Sequence, residues 1–147
     1  MRRAFITGIT GQDGRHLAEF LHGKGYEVFG MVKGQNNPRM TAMRDEFPYV
    51  EPVPGDLADL PSLVKALDHV QPDEVYNLAA ISFVAMSFNQ AELTANITGT
   101  GVLRMLDAIR IAVARESVEQ NRHWTTEDFR EGVAAMAERR PPSFTGR

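Results

Sequence analysis

Apolar and polar positions follow two periods along the first two-thirds of this chain, and a third regime takes over near Ile111. The apolar run at residues 4–7 leads into a glycine turn, and Leu17, Ala18 and Leu21 then recur at helical spacing. That order predicts strand, turn and helix, with the helix from about residue 13 to 24 and its end at Gly25. Residues 26–32 read as a second strand. Residues 39–47 read as a short helix, with Met40, Met43 and Phe47 roughly on one face. Residues 49–53 are a third strand, weakened by Pro52. Asp59 is placed to cap the next helix, Pro61 suits its first turn, and Leu63, Val64 and Leu67 form its apolar face. A fourth strand at 74–78 precedes a longer helix at 90–110, in which Leu93, Ile97, Leu103, Leu106 and Ile109 are apolar. Strands alternating with helices predict an α/β class: a parallel sheet of about four strands with helices on both faces.

From Ile111 onward the sequence is charged, helical in pattern and strandless. Thr125 and Thr126 before Glu127 and Asp128 mark a helix start, and Phe129, Val133 and Met136 fall on one stripe. Arg139 and Arg140 are expected in the last turn, before Pro141 and Pro142 stop the helix. The expected organisation is therefore a domain at 1–110 and a helical tail at 111–147. Trp124 reads as a packing anchor for that tail, and Glu127, Asp128 and Glu131 as a solvated face.

Composition narrows this picture only a little. The chain has 147 residues, enough for one modest core. Hydrophobic residues are 43% and charged residues 24%, as in ordinary globular proteins. A net charge of −3 gives no reason to expect nucleic acid or an anionic membrane surface as a partner. There is no cysteine, so disulfides and thiolate metal sites are excluded and a reducing compartment is favoured. The N-terminal apolar run is too short for a signal peptide, and no stretch has the length to span a membrane, so a cytoplasmic protein is the expectation. His16, His22, His69 and His123 are scattered without metal-ligand spacing.

The chemistry concentrates in Gly8-Ile9-Thr10-Gly11-Gln12-Asp13-Gly14, set between the first strand and the first helix. In that position a dinucleotide's pyrophosphate rests on a helix N-terminus. Gly8 turns the chain off the strand, Gly11 leaves room for phosphates, and Gly14 lets the helix pack close on the sheet. The end of the second strand should meet the adenosine ribose, where an acid would select NAD. Here Val32-Lys33-Gly34 stands instead, with Arg39 further on. Lys33 is placed to pair with a 2′-phosphate, which favours NADP, or to be a solvated surface lysine. Asp56, followed by Leu57, is placed to accept a hydrogen bond from the adenine amino group or to lead a helix as a turn aspartate. Small residues after the fourth strand, in Leu78-Ala79-Ala80, let backbone approach a cofactor, and Ser82 is within reach of the nicotinamide-side ribose; a small-residue turn packed for steric reasons is the alternative.

These segments carry a resemblance. Thr7 through Gly14, Gly55-Asp56-Leu57, Tyr76-Asn77-Leu78-Ala79-Ala80 and Ser87-Phe88 resemble the GDP-mannose 4,6-dehydratases, which are extended short-chain dehydrogenase/reductases and lyases acting on a sugar nucleotide. The GxxGxxG spacing is typical of that superfamily, and Gln12 and Asp13 are unusual within it. The resemblance covers roughly residues 1–110 and implies a partial Rossmann fold with a helical C-terminal tail. It also implies NADP contacts at Thr7, Gly8, Gly11, Gln12, Asp13, Gly14, Lys33, Asp56, Leu57, Leu78, Ala79, Ala80 and Ser82, and a sugar-hydroxyl contact at Ser87. Ile81 and Phe83 depart from the Gln and His that often flank this serine in the family. In the complete family reaction, hydride leaves C4 of the hexose for NADP, water is lost across C5 and C6, and the hydride returns at C6.

That chemistry needs a tyrosine with a lysine four residues later, whose charge lowers the phenol pKa. The tyrosines are Tyr26, Tyr49 and Tyr76, followed four places on by Gly30, Val53 and Ala80. No catalytic residue is therefore assigned, and a fifth strand with the family's dehydration residues is not found. The last thirty residues or so resemble the C-terminal end of enoyl-CoA hydratase/isomerase (crotonase) proteins, which suggests a truncated, fused or engineered chain. The expected function is that of an NADP-binding N-terminal part of a GDP-mannose 4,6-dehydratase-like enzyme, with a nucleotide-sugar substrate only if a catalytic half complements it. The alternatives are a non-catalytic nucleotide-binding or interaction module and an inert fusion product. Self-association into a homo-oligomer is expected from the sheet edge that a fifth strand would cover.

Overall fold

Strand order β3-β2-β1-β4, all parallel, is the frame on which the rest of the first unit hangs. The strands are β1 (Arg3–Thr7), β2 (Glu27–Val32), β3 (Val50–Pro54) and β4 (Glu74–Asn77). Between them run α1 (Gln12–Gly23), α2 (Pro38–Glu46) and α3 (Leu60–Val70). The computed structural model describes residues 1–34 and 38–146; the side chains of Arg39, Met86, Glu119 and Gln120 lie outside the described set. The chain divides into two compact units, Met1–Arg110 and Ile111–Arg147.

In the first unit β1 is the most deeply enclosed strand, with Ala4, Phe5, Ile6 and Thr7 all fully buried. Ala4 and Ile6 join Ala18 and Leu21 of α1 and Met43 of α2 in one core cluster. Phe5 lies between them in the strand, so the pleat turns it to the opposite face, and α3 buries Leu63, Val64, Leu67 and Val70. Both faces of the sheet thus carry helices. Pro52 and Pro54 are accommodated because β3 is an edge strand, where a missing amide breaks no ladder on the open side. Asp59 caps α3 by accepting the Ser62 amide at 3.2 Å, and Gln71 closes it in the left-handed region with φ 46°.

A short helix, α4 (Val84–Asn89), precedes the expected single helix at 90–110, which is itself three elements: α5 (Ala91–Thr94), a π-helical turn (Ala95–Thr100) and α6 (Gly101–Trp124). Gly99, Thr100 and Gly101 are weak helix formers, and the register slips there. Residues 111–124 hold no proline or glycine, so α6 continues past the expected end.

In the second unit Thr126 caps α7 (Glu127–Glu138) by accepting the Phe129 amide at 3.1 Å. Arg139 and Arg140 lie beyond the last turn, Arg139 in the left-handed region with φ 54°. Arg140 reaches back to pair with Glu131 and Glu138. Asp128 and Glu131 are clasps rather than a solvated face. Glu131 accepts the Ser143 amide at 2.9 Å, and Asp128 accepts the amides of Thr145 and Gly146 at 2.6 and 2.7 Å. Trp124 is 61% exposed and meets Phe129 ring to ring at 6.5 Å.

Candidate functional site

A cavity of about 680 Å³ opens where β1, β2, β3 and β4 all end. In a parallel sheet this carboxyl edge is where ligands bind. Its floor is the turn from β1 into α1. Gly8 sits at φ +72°, a conformation that glycine adopts without strain. The Gly11 amide closes the turn onto the Gly8 carbonyl at 2.9 Å. Gly11 is also the N-cap of α1 and carries no side-chain cap, so the first amides of that helix remain available to an anion.

The three glycines differ in what a side chain would meet. A Cβ at Gly8 would stand 2.7 Å from the Ala79 amide nitrogen, and one at Gly14 would stand 2.4 Å from the Gly8 carbonyl oxygen. Gly14 is thus required by the turn itself, a closer neighbour than the sheet expected from its spacing. At Gly11 the nearest atom would be 3.2 Å away, so the added group would project mainly into the cleft.

Thr7 is fully buried and does not line the cavity. Its hydroxyl donates to Asn77 Oδ1 at 2.6 Å and accepts the Ala79 amide at 3.1 Å. It therefore ties the β4 exit to the glycine turn. This link sets Leu78, Ala79 and Ala80 along one wall, with Ser82 beyond them, and all four line the cavity. Gln12 and Asp13 line it from the first turn of α1. Ser87 does not: its hydroxyl donates to the Val84 carbonyl at 2.7 Å within α4.

On the opposite wall Lys33 Nζ lies 3.0 Å from Asp56 Oδ2, and both residues line the cavity. Burial opposes charge on Asp56, but it is outweighed by the Ala58 amide, by Lys33 and by the field of Arg104, and the carboxyl titrates below its ordinary value. Leu57 is buried, with its side chain under the cleft. Sequence reasoning did not assign Met31, Gly55, Leu93 or Ile97 to the site, though all four line it. Gly55 was the most legible of them, since it stands directly before Asp56 at the strand end.

These residues fit a dinucleotide. The floor is a glycine cradle that a Cβ would fill, with free helix amides above it, and a lysine stands where an adenosine ribose would meet the end of β2. None of the three tyrosines lines the cavity. Tyr26 and Tyr76 donate to Glu74 at 3.0 and 2.6 Å, and Tyr49 stacks on His22 at 4.5 Å. The Glu74 hydrogen bond raises the Tyr76 pKa, and burial raises that of Tyr49, so both are further from phenolate than a free tyrosine. Among the described residues no group of His, Asp and Glu is placed to hold a metal ion, and no helix is long and apolar enough to cross a membrane.

Comparison with known proteins agrees with this geometry. A UDP-glucose 4-epimerase structure from Brucella ovis, in complex with NAD, superposes with a TM-score of 0.62 at 25% identity, over 76% of this chain and 33% of that one. GDP-mannose 4,6 dehydratase 2 of Arabidopsis thaliana is 40% identical over 149 residues, covering 95% of this chain and 38% of its own length. The GDP-mannose 4,6-dehydratase of Vibrio cholerae serotype O1 is 50% identical over 115 residues, covering 73% of this chain and 31% of its own length. The chain spans about a third of the length of the curated relatives it matches. The GDP-mannose 4,6 dehydratase family model matches residues 5–136. That match runs well into the tail, whose resemblance to crotonases finds no support. With its glycine turn, its parallel sheet and 132 consecutive residues matched, the chain belongs to the GDP-mannose 4,6 dehydratase family.

Proposed function

We propose that this chain is the cofactor-binding part of a GDP-mannose 4,6-dehydratase-like enzyme, that it prefers NADP to NAD, and that turnover of a nucleotide sugar requires a complementing catalytic half. The observation that carries the reading is the cleft itself: the Gly8–Gly11–Gly14 turn under uncapped helix amides, with Lys33 and no acid at the end of β2. When bound, NADP supplies a hydride acceptor and donor. The chain's own residues would bind and orient it: the α1 amides would hold the pyrophosphate, Lys33 the 2′-phosphate and Asp56 the adenine edge, and Ala79, Ala80 and Ser82 would border the nicotinamide half.

A second reading, a nucleotide-binding module without catalysis, is favoured by one observation. No tyrosine is followed by lysine at the fourth position, and all three tyrosines are engaged away from the cleft. A product assay on GDP-mannose separates the two. The chain should be inactive by itself and should gain activity when mixed with a chain carrying the remainder of a relative. Absence of activity in the mixture, with cofactor binding intact, selects the module.

A further inference from the structure

Arg104, which no motif singled out, holds together two segments that border the cleft. From the first turns of α6, its Nη1 donates to the Leu57 carbonyl and to the Asn96 carbonyl, both at 3.2 Å, and its Nη2 donates to Asn96 Oδ1 at 2.7 Å. One planar guanidinium therefore joins the Asp56-Leu57 turn after β3 to the π-helical turn. The joint is close. A Cβ at Gly101 would stand 3.2 Å from Leu57 Cβ, so α6 can approach this turn because residue 101 has no side chain. The π-helical turn also reaches the other wall, where Thr98 Oγ1 accepts the Ile81 amide at 3.1 Å. Leu57, Ile81 and Ile97 all line the cavity.

We propose that Arg104 is a positioning residue for the cofactor cleft: by bonding the Leu57 and Asn96 carbonyls it sets the distance between the adenine-side turn and the π-helical turn, while Thr98 sets the nicotinamide-side wall from the same turn. Arg104 does not itself line the cavity. It acts through Leu57 and through Asp56, whose carboxylate feels its field. Arginine suits this place because its fork serves three acceptors in fixed geometry, which a lysine ammonium does not. The inference rests on the dinucleotide reading of the cleft.

The test uses the full chain and two probes, 2′,5′-ADP for the adenine half and NADP for the whole. Arg104→Met is expected to weaken 2′,5′-ADP roughly tenfold or more, since a charge-assisted bond to the turn carrying the adenine contacts is lost. Arg104→Lys should recover part of that loss. Thr98→Val should leave 2′,5′-ADP binding unchanged and weaken NADP. Asn96→Ala, which keeps the arginine but removes one acceptor, serves as the milder variant should Arg104→Met fail to fold, and it should weaken 2′,5′-ADP by a smaller factor. Wild-type affinity for 2′,5′-ADP in folded Arg104→Met, or in Asn96→Ala, overturns the proposal. So does an equal loss in Arg104→Met and Arg104→Lys accompanied only by a lower Tm. A wild-type chain that binds neither probe overturns the dinucleotide reading instead, so the two failures are distinguishable.

Discussion

Lys33 and Asp56 form an ion pair at 3.0 Å across the rim of the cleft, with Lys33 73% exposed and the Asp56 carboxylate 27% exposed. The pair joins the end of β2 to the turn after β3, and its exposure limits its contribution to stability to about 0–1 kcal/mol. On the proposed NADP reading, a 2′-phosphate approaching Lys33 would share the ammonium with a carboxylate already in place.

Lys33→Ala should therefore lower NADP affinity by roughly 1.5 kcal/mol, the low end for a charge-assisted bond, and leave NAD affinity nearly unchanged. Calorimetric titration with both dinucleotides checks this. Equal loss for the two would assign Lys33 to general attraction rather than to the 2′-phosphate. Asp56→Asn should move the NADP preference the other way by releasing the ammonium.

The glycines of the turn should separate binding from folding. Gly11→Val should abolish dinucleotide binding while circular dichroism and Tm stay near the parent values, because its side chain enters the cleft with no backbone atom nearer than 3.2 Å. Gly14→Ala should destabilise by about 1–3 kcal/mol, since its Cβ would overlap the Gly8 carbonyl at 2.4 Å. Similar Tm values for the two variants would contradict the assignment.

What the sequence made legible was local. The Gly8 turn, the Asp59 cap with Pro61 and the Thr126 cap each depend on a few neighbouring residues whose side chains have one preferred use, and each stands where spacing placed it. Legibility failed where the partner is distant. Arg104 bonds a carbonyl 47 residues away, and nothing in the pattern of its helix distinguishes it from a solvated arginine. The resemblance implied a cofactor contact for Thr7, and only the crossover from β1 to β4 reveals that Asn77 and Ala79 occupy its hydroxyl. The sugar-hydroxyl contact at Ser87 came from resemblance alone, and the Val84 carbonyl that its hydroxyl meets within α4 is not readable from that motif.

Acid should release the segment after α7 late. The Arg140 guanidinium and the Ser143 amide hold the Glu131 carboxyl down at about 2, against an ordinary value of 4.5. A carboxylate with a lowered folded pKa stabilises fully above its unfolded value and loses that contribution as pH falls through the folded one. The Ser143 amide resonance should therefore stay constant down to about pH 4 and shift only toward pH 2. A shift centred near pH 4.5 would show that the clasp does not form in solution. Glu131→Gln should release the segment at neutral pH.

The outer edge of β4 should drive self-association. β4 pairs with β1 on one side, and no described strand covers the other. An open edge of that kind recruits strands from other chains. Sedimentation velocity should show a concentration-dependent dimer or larger species, and Val75→Pro, which removes an amide from β4, should reduce it. A well-folded monomer at all concentrations would contradict this.

The central claim is that the cleft at the carboxyl edge of this sheet is a dinucleotide site tuned to NADP. Isothermal titration of the wild-type chain with NADP and, in parallel, with NAD tests it most directly. The account predicts saturable binding of one NADP per chain and a weaker affinity for NAD. Absence of binding by either dinucleotide, or tighter binding of NAD, would contradict it.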